Sequence, residues 1–209
     1  MTQTILHVPL TSRHTQTVLD GLEAEYGRRY GTARPGGARR DIDRYPAGLF
    51  VPPLGDFIVL LEDDEPIAGG AFMSHDDETV EIKRVWTHPD RRRQGLARRM
   101  MDVLEHEAGA LGYTRAYLTT GFLQPEAIGL YRSIGYRPLF DVDAAPELYK
   151  SLGFEKHIGR AAGQAGRSPL RTPAGSPAEA IAEVNAIKAA QEKQILARLA
   201  RHADRRLVA

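Results

Sequence analysis

The 209-residue chain contains no cysteine. This absence excludes a disulfide framework, a thiolate zinc site and a cysteine nucleophile. The net charge is only +1, so the chain as a whole has no electrostatic attraction to nucleic acid or to a membrane surface. Hydrophobic residues still make up 42% of the chain, which is enough to form a core, and the length predicts one domain with an appendage.

Long hydrophobic runs and a secretion signal are also missing. No apolar stretch has the roughly 20 residues that a membrane-spanning helix needs. The N-terminal residues MTQTILHV lack the basic start and the long apolar centre of a signal peptide. The histidines at positions 75, 88 and 157 do not have the spacing of metal ligands. The sequence therefore predicts a soluble cytoplasmic protein with no bound metal, no nucleic-acid partner and no membrane contact.

Apolar periodicity predicts a mixed fold in which strands and helices follow one another. Between the first helix and the second strand, residues 31–55 are rich in glycine, proline and arginine, and a loop of this length is usually functional or mobile. The predicted helices are 15–29, 96–111 and 125–134, and the predicted strands are 4–8, 56–61, 66–73, 79–87, 114–119, 136–142 and 152–158.

The last fifty residues have a different composition. The sequence predicts a domain over 1–160, a linker over 161–175 and a helical extension over 176–209. Ser176, Pro177 and Glu179 form a strong helix start, because serine can cap, proline suits the first position and glutamate completes a capping box. The apolar stripe of this helix is too narrow to stand alone. We expect the helix to dock on its own domain or, as the long linker favours, on a second subunit of a homodimer.

The most informative stretch of the chain is Arg92-Arg93-Gln94-Gly95-Leu96-Ala97, which joins the strand 79–87 to the helix 96–111. At a strand-to-helix junction several backbone N–H groups are free and the helix dipole adds partial positive charge. A glycine lets the backbone approach a ligand closely. The stretch therefore predicts an anion site suited to a pyrophosphate. The nucleotide-binding motifs Gly-x4-Gly-Lys-Ser/Thr and Gly-x-Gly-x-x-Gly do not occur in this sequence.

This stretch and its flanks resemble the GNAT family of N-acetyltransferases. Arg92-x-x-Gly95-x-Ala97 is similar to the acetyl-CoA signature of the family, and the sequence EIKRVWTHP before it and LYRSIGY after it agree with the family at the expected spacing. The resemblance covers about residues 4 to 158, by the usual lengths of such elements. It implies an α/β (α+β) fold with a mixed, mostly antiparallel sheet of six to seven strands, a splayed signature strand, about four flanking helices and a C-terminal helix.

The resemblance also implies acetyl-CoA as co-substrate and places it on this chain. The loop residues Arg92, Arg93, Gln94, Gly95, Leu96 and Ala97 would hold the pyrophosphate, and the backbone of Val85, Trp86 and Thr87 would pair with the pantetheine arm. Gln124 stands where many members have an asparagine that contacts the cofactor. Trp86 is either a wall of the cofactor site or a core residue.

Two residues are candidates for the proton transfers that acetylation of an amine requires. Glu81 lies eleven residues before Arg92, an offset that matches the catalytic glutamate of the histone-acetylating branch, and it would act directly or through water. Strict alternation would put Glu81, Lys83, Val85 and Thr87 on one face of the strand. Tyr131 resembles the acid tyrosine of the family. Tyr149 is its rival, because LYRSIGY at 130–136 is echoed by LYKSLGF at 148–154.

The sequence leaves alternatives open for the acceptor and for the function. The family resemblance places the acceptor near residues 31–55, where Arg44 and Tyr45 are candidates for contacting it, although Arg44 could equally be a surface arginine. The primary function hypothesis is transfer of an acetyl group from acetyl-CoA to a primary amine of a small molecule, a protein lysine or a protein N-terminus. The alternative is a catalytically weak acyl-CoA sensor that signals through the C-terminal helix.

Overall fold

The computed structural model describes residues 2–31 and 37–208, and for 204–208 the backbone alone. The strands are β1 (Gln3–His7), β2 (Gly55–Glu62), β3 (Glu65–Ser74), β4 (Thr79–Thr87), β5 (Arg115–Gly121), β6 (Arg137–Pro138) and β7 (Ser151–His157). The helices are α1 (Arg13–Tyr30), α2 (Gly37–Ile42), α3 (Leu96–Ala110), α4 (Pro125–Ser133) and α5 (Pro177–Val208). No helix within the described ranges is long and apolar enough to cross a membrane.

The seven strands follow the order β1-β2-β3-β4-β5-β7-β6 in one sheet. The pairs β1–β2, β2–β3, β5–β7 and β6–β7 are antiparallel. This arrangement confirms the predicted fold class, a mixed and mostly antiparallel sheet flanked by helices. The splay of the signature strand β4 stays a prediction.

The chain divides into two compact units. The first contains the residues up to Met73 together with Ile82–Leu111, and the second contains Ser74–Glu81 and Gly112–Ala209. The predicted division into a domain, a linker and a helical extension, with boundaries near residues 160 and 175, differs from this division into two units. It stays a prediction. Strand β4 contributes residues to both units, so its two ends are described separately below.

In the first unit, two adjacent glycines of β3 let helices pack closely on opposite faces of the sheet. A Cβ at Gly69 would lie 2.7 Å from a methyl group of Val18 on α1, and one at Gly70 would lie 2.7 Å from Leu104 on α3. Because successive side chains of a strand point to opposite faces, these contacts place α1 and α3 on the two sides. Larger residues at either glycine would push a helix away from the sheet.

The predicted loop 31–55 contains more regular structure than its composition indicated. Helix α2 and a 3₁₀ turn at Ala47–Phe50 lie within it, and residues 32–36 fall outside the described part of the chain. Arg39 of α2 ties this segment to α1 through hydrogen bonds to Asp20 and Gln16. Leu49 and Phe50 are almost completely buried. The glycine and proline content reflects short elements with tight turns and does not indicate a continuous loop.

In the second unit, β6 is much shorter than predicted. The sequence predicted a strand over 136–142, but the strand covers only Arg137 and Pro138, followed by one further hydrogen bond from Leu139 N–H to the carbonyl of Gly153 on β7. Proline cannot donate to a ladder of hydrogen bonds, and Phe140 instead forms a parallel bridge with Arg171. The guanidinium of Arg171 donates to the carbonyl groups of Tyr149 and Ser151. The predicted linker segment is therefore attached to this unit along part of its length.

Helix α5 docks on the second unit of its own chain. The predicted helix start is present with one change of partner: Glu179 N–H donates to Ser176 Oγ at 3.2 Å, and the Glu179 carboxylate accepts at 2.9 Å from the N–H of Gly175, the residue before Ser176. Farther along, Arg198 donates to Ser74 Oγ and to the carboxylate of Asp77. Ile195 is 0% exposed, whereas its neighbour Leu196 is 39% exposed. A homodimer through α5 stays a prediction.

We expect Ile195→Ala to destabilise the protein far more than Leu196→Ala. Truncation of a fully buried isoleucine typically costs about 2–5 kcal/mol, whereas a surface substitution usually changes stability by no more than about 0.5 kcal/mol. Urea denaturation of the two variants measures the difference. Equal free energies of unfolding would mean that α5 does not dock on this face.

Candidate active site

The junction between β4 and α3 has the backbone geometry of an anion site. A 3₁₀ turn at Pro89–Arg91 follows β4, and α3 begins at Leu96. Gly95 is the N-cap of α3, with φ 77° and ψ 0°, and no side chain caps the helix. The left-handed backbone favours glycine at this position. The first N–H groups of α3 are thus without a side-chain cap, and they are the groups that bind anions in other proteins.

The arginines of this junction differ in what they contact. Arg91 forms an ion pair with Glu62, and Arg92 Nη2 lies 3.2 Å from Glu25 Oε2. The Arg92 side chain is still 42% exposed. Arg93 and Gln94 are exposed, and Arg93 has a left-handed backbone with φ 61°. The junction therefore carries positive charge on partly accessible side chains next to the start of α3.

Glu25 on α1 is a member of this site that sequence reasoning missed. Burial opposes ionisation of its carboxylate, but hydrogen bonds from Arg28, Arg29 and Arg92 outweigh it and lower the pKa of Glu25 to about 2. The carboxylate is therefore charged at neutral pH and orients Arg92. The local sequence signals only an ion pair within α1, because Arg28 and Arg29 follow at helical spacing. The contact with Arg92 depends on tertiary folding.

The backbone of strand β4 departs from regular strand geometry at one residue. Arg84 has a left-handed backbone with φ 59°. As a result the neighbours Lys83 and Arg84 both reach the segment between α2 and β2: the ammonium of Lys83 lies 5.0 Å from the centre of the Tyr45 ring and the guanidinium of Arg84 lies 4.1 Å from that of Phe50. Regular alternation would send these two side chains to opposite faces. The inference that Glu81, Lys83, Val85 and Thr87 share one face of β4 stays a prediction.

After Arg84, the predicted cofactor residues of β4 have different surroundings. Val85 is half-buried and faces α3, since its Cγ2 would be 3.6 Å from a Cβ at Gly70. Trp86 is 6% exposed and packs against Gly21 of α1, where a Cβ would lie 2.3 Å from the indole nitrogen. The side chain of Trp86 is thus a core residue. Thr87 is half-buried at the end of the strand.

The second unit brings the candidate base together with residues that the sequence did not single out. Glu81 is 2% exposed, and its Oε2 lies 4.0 Å from Nδ1 of His75. The His75 ring packs on Tyr117 of β5 with ring centres 5.4 Å apart. These three side chains come from β4, from the β3–β4 turn and from β5. Only tertiary structure could identify the cluster, because its members are separated in sequence and carry no motif.

The phenol of Tyr117 has a raised pKa. Burial, and next the negative charge of Glu81, raise the pKa of Tyr117 to about 12, while hydrogen bonding to Gln191 of α5 opposes the shift. Tyr117 is therefore neutral at physiological pH and keeps its proton. The contact with Gln191 links the C-terminal helix to the residues around Glu81.

The two tyrosines of the sequence echo have different surroundings. Tyr131 on α4 is 8% exposed, and its ring packs on Phe154 and Tyr136 with centres 5.6 and 5.9 Å apart. Tyr149 is 0% exposed, and its hydroxyl accepts a hydrogen bond from Asp141 N–H at 3.1 Å. The hydroxyl of Tyr149 thus has a structural partner, and the role of Tyr131 as the acid stays a prediction.

The remaining predicted residues are Gln124, Arg44 and Tyr45. Gln124 is the N-cap of α4 and makes no side-chain cap hydrogen bond. Arg44 forms an ion pair with Asp41 at 3.3 Å, and Tyr45 is 7% exposed. Among the residues that the structure describes, no group of three histidine, aspartate or glutamate side chains could hold a metal ion.

Comparison with solved structures shows the same fold in proteins of low sequence identity. An acetyltransferase from Streptococcus agalactiae is 20% identical, with a TM-score of 0.58 over 75% of this chain and 98% of that one. A GNAT family acetyltransferase from Elizabethkingia anophelis, solved with acetyl-CoA bound, is 15% identical, with a TM-score of 0.54 over 75% and 98%. The ribosomal-protein-S18-alanine N-acetyltransferase from Escherichia coli is 16% identical, with a TM-score of 0.53 over 79% and 100%.

A search of curated protein sequences returned no match. The family model for the acetyltransferase (GNAT) family matches residues 19–136, which is more than half of the chain. The matched range includes β4, the Gly95 junction and α3, and it ends at the aromatic residues that follow α4. The chain therefore belongs to the GNAT family of acetyltransferases.

Proposed function

We propose that this protein is an N-acetyltransferase that moves an acetyl group from acetyl-CoA directly to a primary amine. The acceptor is a small molecule or a protein lysine or N-terminus, and the site of action is the cytoplasm. The observation that carries the proposal is the start of α3, where Gly95 has a left-handed backbone and no side chain caps the helix. The Elizabethkingia relative was solved with acetyl-CoA bound, which supports the choice of co-substrate.

The residues at the α3 junction fit a pyrophosphate. Among the residues that the structure describes, no atom lies within 4 Å of the position that a Cβ of Gly95 would take, so an anion can approach the backbone. The N–H groups of Leu96 and Ala97 and the partly exposed side chains of Arg92, Arg93 and Gln94 would bind its oxygens. The backbone of Val85, Trp86 and Thr87 would pair with the amides of the pantetheine arm, and Gln124 would contact the cofactor.

Acetyl-CoA supplies the activated thioester, and this chain supplies the proton transfers. An alkyl ammonium must lose a proton before its nitrogen can attack the thioester carbonyl, and Glu81 would accept that proton directly or through water. As the C–N bond forms and the C–S bond breaks, the hydroxyl of Tyr131 would donate a proton to the departing thiolate, and the second proton of the acceptor nitrogen would restore that hydroxyl. Arg44 and Tyr45 are candidates for contacting the acceptor.

Replacing the candidate acid should affect the reaction rate and not the binding of acetyl-CoA. We expect Tyr131→Phe to lower kcat by about 10²–10⁴-fold, the usual contribution of general acid catalysis, with little change in the Kd for acetyl-CoA. Tyr149→Phe is the matched control, since it removes a hydroxyl that has a structural role. Rates of thiol release decide the question, and a large loss in Tyr149→Phe alone would transfer the role of acid to Tyr149.

A sensor function remains the second candidate because of one contact. Helix α5 reaches Tyr117 through Gln191, so an event near Glu81 has a physical route to the C-terminal helix. Thiol release from acetyl-CoA, measured with a panel of amines beside calorimetric binding of acetyl-CoA, separates the two functions. Binding without turnover on any amine would favour the sensor.

A further inference from the structure

A buried arginine on β4 lacks the anionic partner that such residues normally have. Arg84 is 9% exposed. Its Nη2 donates to the carbonyl oxygen of Ile42, and its guanidinium lies over the ring of Phe50. Within the described ranges 2–31 and 37–208, its Nη1 has no hydrogen-bond partner and no carboxylate forms an ion pair with it. One buried donor of the charged Arg84 guanidinium thus has no acceptor among the described residues.

The groups around Arg84 do not neutralise it. Burial lowers the pKa of Arg84 to about 10, and the charge of Asp43 opposes that shift through space. The carboxylate of Asp43, however, accepts a hydrogen bond from Arg39 at 2.8 Å and is engaged there. Arg84 therefore remains a protonated cation at neutral pH. An arginine kept charged in a water-poor environment is costly for the folded state unless something compensates it.

The backbone conformation of Arg84 is a second observation that favours a ligand at this residue. Its left-handed conformation, with φ 59°, is unfavourable for a residue with a side chain. Such strain is found at ligand-binding positions more often than elsewhere. Arg84 also lies three residues after the candidate base Glu81 on the same strand. A long apolar side chain would fill the space over Phe50 without a buried charge, so packing does not explain the arginine.

We propose that Arg84 binds an anionic oxygen group, a carboxylate or a phosphate, on the acceptor amine. The inference rests on the proposed acetyltransferase function and narrows its acceptors to amines that carry a negative group. A guanidinium is well suited to this task because its planar donors match two oxygens at once. Arg44, the arginine that the sequence favoured for this role, already has Asp41 as partner.

The test uses primary amines in matched sets that differ only at the far end, which is a carboxylate, a phosphate monoester or a carboxamide. Each compound is titrated by calorimetry into full-length protein, with and without CoA, and its acetylation is followed by thiol release. We expect one of the two anionic forms to bind at least tenfold more tightly than the carboxamide. The anion that shows the larger preference identifies the natural group.

The variant Arg84→Met then tests whether Arg84 recognises the anion or only supports the fold. Arg13→Met is the control. Both remove one positive charge, but Arg13 lies in an exposed pair with Asp64. We expect Arg84→Met to abolish the preference for the anion while its Tm stays equal to or above that of the wild type. Arg13→Met should keep the preference. A Tm that falls with an unchanged preference would show a structural arginine satisfied by water, and the inference would be wrong.

The outcomes distinguish this inference from the proposed function. Binding preference that Arg84→Met removes supports the role of Arg84 even if no amine is acetylated. Equal acetylation of the carboxylate, phosphate and carboxamide forms supports the acetyltransferase and rejects anion recognition by Arg84.

Discussion

Gly95→Asp is expected to abolish acetyl-CoA binding while the fold is retained. Aspartate tolerates the left-handed backbone of Gly95 better than most residues, and the space around that position is open, so little strain is added. Its carboxylate would lie at the start of α3, where it would repel a pyrophosphate and compete for the same N–H groups. We expect the Kd to rise by at least about 100-fold, which corresponds to about 2.7 kcal/mol.

The matched control for this prediction is Gly95→Asn. Asparagine has nearly the same shape and the same tolerance for a positive φ, but it adds no charge. Calorimetry with acetyl-CoA should show a much smaller loss in Gly95→Asn, and circular dichroism should show both variants folded. Equal affinities in the wild type and Gly95→Asp would rule out the α3 junction as the pyrophosphate site.

Glu81→Gln is expected to produce the second large effect, this time on the reaction. The substitution keeps the size and the buried position of the side chain but removes its ability to accept a proton. We expect kcat to fall by about 10²–10⁴-fold, with the Kd for acetyl-CoA unchanged. The loss should shrink as pH rises towards the pKa of the acceptor ammonium, because a larger fraction of the amine is then neutral without help.

Two further variants test this assignment of the base. Glu78→Gln is the control, since Glu78 is an exposed glutamate in the turn before β4. His75→Gln addresses the neighbour whose Nδ1 lies 4.0 Å from Glu81. If His75→Gln shows the large, pH-dependent loss and Glu81→Gln does not, histidine is the base. If neither changes kcat, the cluster around Tyr117 takes no part in proton transfer.

Much of the fold and of the cofactor loop could be predicted from the sequence because their signals are local. The alternation of β4, the apolar face of α3 and the glycine between them are encoded within some thirty residues. The helix start at Ser176 and Glu179 is similarly local, and both side chains make capping hydrogen bonds in the structure. Composition misled in the segment 31–55, where glycines and prolines flank the short helix α2, and at β6, which is only two residues long.

The sequence by itself thus determined the order of the elements, the family and the position of the α3 junction. The tertiary structure decided the environment of each functional side chain. Glu25 holds Arg92 across 67 positions of the chain, and Arg198 binds Ser74 across 124. The left-handed backbone of Arg84 and its hydrogen bond to Ile42 were not visible in an otherwise regular pattern. Burial, charge compensation and hydrogen bonding depend on residues brought together by folding, and no local periodicity carries that information.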